Sequence, residues 1–320
     1  MAIPVGVVGV GSLGWHHARL YQACTDAHLV GVYDTVAETA QNVADKLGVR
    51  VFESMEEMAE NVDAVSIAVP TNLHFEIGST WLDWGKHVLI EKPITESVEE
   101  AQRLIAQADA AQLVLQVGHV ERFNPVMSYL EAKAHQPRFI ECHRLAPYPP
   151  PRPGLPPRGT EVGVVLDLMI HDIDLVLALV KSPVERIDAV GVPVLSPTED
   201  IANARIRFEN GCVANLTASR VTPEPMRKIR VFQGDAYLSL DYQAKTGEVF
   251  FKQGSAIVRE DVPIHDHNAL QKELEHFLSC VSASHGCASV IKPKVSGECG
   301  LRALEIAVAI RKHIPELGLT

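Results

Sequence analysis

A valine-rich apolar run at residues 3–10 leads directly into Gly9-Val10-Gly11-Ser12-Leu13-Gly14, and a helical stretch follows at residues 15–22. An apolar run without alternation reads as a strand buried on both faces of a parallel sheet. In the G-x-G-x-x-G spacing each glycine has a task. The first permits a tight turn, the second lets backbone approach a pyrophosphate, and the third lets the helix pack close to the strand. The free N–H groups at the helix start then favour phosphate. Asp34 lies 20 residues after Gly14, at the end of a second strand over residues 29–33. A carboxylate there accepts hydrogen bonds from ribose hydroxyls and repels a 2′-phosphate. No arginine follows before Arg50. The expected cofactor is therefore NAD rather than NADP. Asp34 also suits a second role, capping the helix that follows.

The first 118 residues alternate strand and helix. Helices are expected at residues 36–47, 55–60, 74–84 and 97–110, with strands at 51–52, 64–68, 87–90 and 114–117. Ser97 with Glu100 three residues on forms a capping-box pattern. Such alternation predicts a doubly wound parallel sheet, an α/β Rossmann domain over residues 1–119. The pattern then changes. Residues 138–145 look extended, and residues 147–159 hold seven prolines and must form a loop. Residues 162–180 read as one apolar helix. Strands are expected at 187–194, 202–208, 212–219, 228–233, 236–242, 248–252 and 256–262, with Asn210-Gly211 as a hairpin turn. Two helices close the chain, at 268–283 and 297–313. This predicts an α+β domain over residues 120–320 with a large, mostly antiparallel open sheet. One face of that sheet needs covering, which favours a homo-oligomer.

Composition narrows the function classes. The net charge of −11 lacks the basic footprint of a nucleic-acid binder. The six cysteines are scattered without C-x-x-C spacing and read as free thiols of a reducing compartment. No apolar run approaches the length of a membrane span, and the start lacks a basic leader, so the expected location is the cytoplasm, away from membranes. His265-Asp266-His267 has no third ligand at recognisable spacing, so no metal is expected. His16 and His17, after the glycine motif, read as helix packing.

Two further stretches carry chemistry. Glu91-Lys92-Pro93 ends the fifth strand, and ligands of an open α/β sheet sit beyond the carboxyl ends of its strands. A half-buried lysine near a cationic nicotinamide is fit for proton transfer. Asp167 and His171 stand four residues apart, with Asp174 three further on. In an α-helix all three share one face. A carboxylate beside an imidazole orients the ring and favours its protonated form. Taken alone, a structural ion pair accounts for them equally well.

G-x-G-x-x-G, Glu91-Lys92-Pro93 and the D-x-x-x-H-x-x-D of residues 167–174, in this order, resemble the Gfo/Idh/MocA oxidoreductase family over essentially the whole chain. The resemblance implies an NAD-dependent dehydrogenase acting on a CH–OH group, with one active site shared by the two domains. It implies Lys92, Asp167 and His171 as catalytic, with either Lys92 or His171 taking the proton. It places Gly9, Gly11, Ser12, Leu13, Gly14, Asp34, Thr71, Glu91, Lys92, Gly118 and His119 at the cofactor. It also implies a dimer or tetramer packed through the open sheet.

A narrower resemblance rests on residues 118–125, 144–147, 200–205 and 214–220. These are similar to a bacterial subgroup associated with lipopolysaccharide synthesis. That implies oxidation of the 3-hydroxyl of UDP-N-acetylglucosamine to a ketone, which a partner aminotransferase uses for lipid A. The proline-rich stretch at 148–158 is longer than expected there. A UDP diphosphate needs cations; Arg122, Arg144, Arg158, Arg220 and Arg227 are candidates, beside Lys92, Asp167 and His171 at the sugar. The rival readings are a dehydrogenase of another sugar, a cyclitol or a dihydrodiol, and a dinucleotide-binding regulator without catalysis.

Overall fold

A computed structural model describes residues 2–151, 157, 159–284 and 291–314. The chain begins with β1 (Ile3–Val8), α1 (Ser12–Ala23), β2 (Ala27–Tyr33), α2 (Ala37–Leu47), β3 (Arg50–Val51), α3 (Met55–Ala59) and β4 (Ala64–Ile67). It continues with α4 (His74–Asp83), β5 (His87–Glu91), α5 (Val98–Ala110) and β6 (Leu115–Gly118). All six strands pair in parallel, in the order β3-β2-β1-β4-β5-β6. β4 and β5 are buried at every residue, so apolar side chains face covering layers on both sides. The strand order reverses between β1 and β4, the point where such sheets bind dinucleotides. Ser97 caps α5 as expected: its hydroxyl accepts from Glu100 N–H and the Glu100 carboxylate accepts from Ser97 N–H, each at 3.2 Å.

Next come α6 (Pro125–Lys133), β7 (Phe139–Leu145) and α7 (Ile170–Val180). Seven strands follow: β8 (Val184–Val192), β9 (Ile201–Phe208), β10 (Val213–Ser219), β11 (Met226–Phe232), β12 (Ala236–Asp241), β13 (Thr246–Gln253) and β14 (Ala256–Asp261). With β7 they form one sheet in the order β14-β13-β12-β11-β7-β10-β9-β8. Its pairs are antiparallel except β7 with β10. In β9, buried Ala202, Ala204, Ile206 and Phe208 alternate with exposed Asn203, Arg205 and Arg207. The buried face joins α7 in one apolar core. On the other face, Phe139, Phe232, Tyr237 and Phe250 stack in register across four strands, with centroids 4.5–5.5 Å apart. The chain closes with α8 (Ala269–Ser284) and α9 (Gly297–Lys312).

The chain divides into two compact units: Met1–Val120 with Asn268–Arg302, and Glu121–His267 with Ala303–Thr320. This corrects the sequence-based assignment of residues 120–320 to the second domain. α8 buries Leu274, Phe277, Leu278 and Val281 in the same apolar cluster as Val5, Val7, Ala18 and Tyr21. An amphipathic helix carries an apolar stripe but no mark of which core it will join. α6 was also not foreseen, although Asn124 caps it through Val126 N–H and Pro125 opens it.

Candidate active site

In the first unit the expected cofactor residues gather at the carboxyl ends of β1, β2, β5 and β6. Gly9 adopts φ +78° and lies so close to Ala68 O and Val69 Cγ1 that a Cβ would sit 2.8 Å from each. A Cβ at Gly14 would land on the Gly9 carbonyl. At Gly11, by contrast, a Cβ would meet nothing within 4 Å. That open side is the approach a pyrophosphate needs. Ser12 and Leu13 are exposed at the start of α1, which has no side-chain cap and no acidic residue in its first turn. Its N–H dipoles thus favour an anion. Asp34 Oδ2 accepts from Val10 N–H at 2.8 Å, and Oδ1 from Val36 N–H at 2.9 Å. The carboxylate ties the second strand to the glycine turn, and each oxygen keeps capacity for a ribose hydroxyl. Asp34 is not the residue that caps α2; that position is Val36. Thr71 opens a short 3₁₀ turn after β4.

Glu91 and Lys92 follow one another at the end of β5. Glu91 is buried and its Oε1 lies 3.0 Å from His17 Nε2; its Oε2 accepts from Lys92 N–H at 3.2 Å. Burial alone would raise the Glu91 carboxyl, but the His17 hydrogen bond and the charges of His17 and Lys92 outweigh it and hold it below its ordinary value. Gly118 packs on this carboxylate: a Cβ there would stand 3.0 Å from it. His119 is buried, with its N–H on Val117 O at 2.8 Å. Lys92 is half-buried. The arrangement offers a dinucleotide an anion-binding helix end, a ribose-binding carboxylate and a lysine beyond β5, so these residues fit NAD.

In the second unit the stretch carrying Asp167 is not α-helical. Residues Val165–Met169 form a π-helical turn, and α7 begins at Ile170. This corrects the single α-helix expected over 162–180. Widened turns of this kind recur at functional sites. Asp167 and His171 are half-buried, whereas Asp174 is 3% exposed and lies 3.4 Å from Arg122 Nη1. Asp174 therefore braces the interior. Asp167 also packs against Gly159, where a Cβ would stand 2.5 Å from Oδ2. Gly159 has φ +81° and its carbonyl accepts from Arg220 Nη1 at 2.6 Å, as does Val162 O at 2.8 Å.

Residues 3–119 match a family model described as "Oxidoreductase family, NAD-binding Rossmann fold", and residues 134–239 match the GFO/IDH/MocA C-terminal domain. This chain belongs to the GFO/IDH/MocA oxidoreductase family. It is 39% identical over 313 residues to UDP-N-acetylglucosamine 3-dehydrogenase of Acidithiobacillus ferrooxidans, covering 96% of this chain and 95% of that one. A solved structure of that dehydrogenase superposes with a TM-score of 0.89 at 38% identity, covering 98% of both chains. Myo-inositol 2-dehydrogenase of Thermotoga maritima is 27% identical over 332 residues, covering 98% of this chain and 96% of its own. As a GFO/IDH/MocA member the chain is an NAD-binding dehydrogenase.

In this GFO/IDH/MocA chain the arginines expected at a substrate phosphate are mostly engaged elsewhere. Arg144 is 3% exposed and forks Asp172, Nε to Oδ2 at 3.1 Å and Nη2 to Oδ1 at 2.9 Å, while Nη1 donates to Glu121 at 2.9 Å. Burial would lower the Arg144 pKa, but Asp172 and Glu121 more than compensate and hold it charged. Arg122 faces Asp174 and Glu131. Arg220 is buried on Asp200, Ser196 and Thr198 as well as the Gly159 carbonyl. These three act as internal struts, because a guanidinium taken out of water needs carboxylates and carbonyls around all of its donors. Arg227 remains half exposed, 3.6 Å from Glu121, and Arg158 lies outside the described residues.

Among the described residues no group of three or more His, Cys, Asp or Glu is placed to hold a metal. His267 instead meets Phe123 O at 2.9 Å, and Asp266 pairs with Lys245. Among the described residues no helix is long and apolar enough to cross a membrane. The sequence reading missed two residues at the Lys92 turn: His74, for which no motif signalled a role, and His17, set aside as packing.

Proposed function

We propose that this chain oxidises the 3-hydroxyl of UDP-N-acetylglucosamine to the 3-keto sugar with NAD. The observation that carries the reading is the near-full-length similarity, at 39% identity, to a dehydrogenase of that name. NAD, when bound, supplies the hydride acceptor for the hydrogen on C3. The protein supplies the proton acceptor and the orientation. Lys92 or His171 takes the hydroxyl proton, and Asp167 orients the imidazole and sustains its charged form. Gly9, Gly11, Ser12, Leu13 and Gly14 cradle the pyrophosphate. Asp34 takes the ribose, and Thr71, Glu91, Gly118 and His119 line the nicotinamide side. Arg227 and Arg158 are the remaining cationic candidates for the diphosphate. The ketone then serves an aminotransferase of lipid A synthesis in the cytoplasm. The aromatic ladder from Phe139 to Phe250 supports a homodimer or homotetramer packed through the open sheet.

The test is the absorbance of reduced nicotinamide on mixing protein, NAD and UDP-N-acetylglucosamine, beside NADP, free N-acetylglucosamine and myo-inositol. Glutamate and the aminotransferase are added in a second cuvette to draw off the ketone. A rise confined to NAD with the nucleotide sugar is expected. A rise with myo-inositol alone would move the substrate to the cyclitols. No rise in any cuvette would favour the regulator reading.

A further inference from the structure

The turn carrying Lys92 is gripped on both sides by buried histidines. On the entry side, His17 of α1 lies with Nε2 3.0 Å from Glu91 Oε1, with the two side chains 0% and 11% exposed. Glu91 Oε2 takes the Lys92 N–H at 3.2 Å. Lys92 is thereby linked through one carboxylate to the helix that the glycine motif opens. On the exit side, His74 of α4 is 1% exposed. Its Nδ1 lies 2.8 Å from Pro93 O, and its Nε2 lies 3.0 Å from Val69 O in the turn after β4. A carbonyl oxygen cannot donate, and burial lowers the His74 pKa and favours the neutral ring, which carries one N–H and donates it to one of these two carbonyls. Burying an imidazole costs more than burying an apolar side chain of similar size. The His17 contact and the His74 Nδ1 contact both fall on residues 91–93, while the His74 Nε2 contact reaches the turn after β4.

We propose that His17 and His74 are positioning residues, which hold the Glu91-Lys92-Pro93 turn so that the Lys92 side chain is presented in the geometry the reaction uses. Neither ring needs to touch cofactor or substrate. His17 fixes the residue before Lys92 and His74 fixes the residue after it, from two different helices. Glu91 has no room to swing away, because Gly118 packs on its carboxylate. Loosening either grip moves the lysine without removing it.

The proposal rests on the catalytic assignment of Lys92, and the test separates the two. His17→Leu and His74→Leu remove the donors; His17→Gln and His74→Gln return one donor nitrogen and serve if the leucine variants fold poorly. Three quantities are read: NADH affinity, kcat and KM, and acetylation of the Lys92 amine by acetic anhydride, followed by peptide mass spectrometry against exposed Lys133. The leucine variants are expected to bind NADH within about threefold of the parent and to lose roughly 10- to 100-fold in kcat with little change in KM. They should also alter the Lys92-to-Lys133 labelling ratio by about fivefold or more, with glutamine at position 17 restoring most of it. In a Lys92→Ala background, adding His17→Leu should change residual kcat by less than about twofold, because coupled residues are not additive. An unchanged labelling ratio, or a full additive loss without Lys92, would overturn the proposal. If the parent turns over no nucleotide sugar, the proposed substrate falls, and the labelling ratio still decides the role of the two histidines.

Discussion

Around Lys92 the polar groups taken out of water are His17, Glu91 and His74; behind Asp167 and His171 they are Arg144, Asp172, Glu121, Arg220 and Asp200. The first unit carries Lys92 at the end of a parallel strand whose position the sheet already sets. Two imidazoles suffice to trim the turn. The second unit presents Asp167 from a π-turn and His171 from the first turn of α7, which no sheet ladder constrains. There the fixing is done by full charges: Arg144 holds Asp172, the neighbour of His171, and Arg220 holds the Gly159 carbonyl against which Asp167 packs. Charged struts hold irregular backbone tightly, but removing one partner leaves the other buried and unpaired.

The largest test of this contrast is chemical. Lys92→Ala and His171→Ala should each lower kcat by a factor on the order of 10²–10⁴ while NADH titration shows little change in affinity. If only one variant did so, the proton acceptor would lie in that unit alone. Next comes the strut itself. Arg144→Met strands the buried Asp172, so urea unfolding should show a loss of about 3–5 kcal/mol. A loss near that of a surface substitution would mean the cluster does not support the second unit. The Asp200 carboxyl offers a smaller effect. Burial would raise it, but the Leu195 N–H, Arg220, the Ser196 hydroxyl and the Val194 N–H together pull it down from 3.8 to about 2. A depressed folded-state value means stability present above pH 3.8 and lost as pH falls towards 2. Urea midpoints across that window should show about 1–2 kcal/mol of loss that Asp200→Asn no longer displays. The smallest effect belongs to the first unit: Ser97→Ala removes a two-bond cap and should cost about 1 kcal/mol by the same measurement, with activity unchanged.

The first unit was legible largely because its signals are local. Gly14 against Gly9, and Ser97 with Glu100, act through neighbours within one strand-turn-helix or one helical turn, and Asp34 reaches back only to Val10 in the turn after the adjacent strand. The second unit was legible as alternating strands and a hairpin at Gly211, which adopts φ +81°. Its helix was read one turn too regular, because periodicity counts residues on an assumed pitch and the π-turn at Val165–Met169 changes that pitch. The partners of the arginines were not legible for a related reason. Arg144 meets Glu121 across 23 residues and Asp172 across 28, and Arg220 meets Asp200 across 20. A sequence shows cations and anions in plenty without showing which pairs close.

By itself the sequence determined the parallel dinucleotide-binding sheet, NAD as its cofactor and the antiparallel second sheet. Those follow from periodicity, glycine spacing and motif order, which are properties of short stretches. Only the tertiary structure decided that α8 returns to the first core, that Asp174 faces Arg122, and that His17 and His74 close on the Lys92 turn. The His17–Glu91 bond spans 74 residues and the His74–Pro93 bond 19. Such bonds exist only once the sheet and helices have brought their ends together, and burial then makes each polar atom seek the partner left within reach.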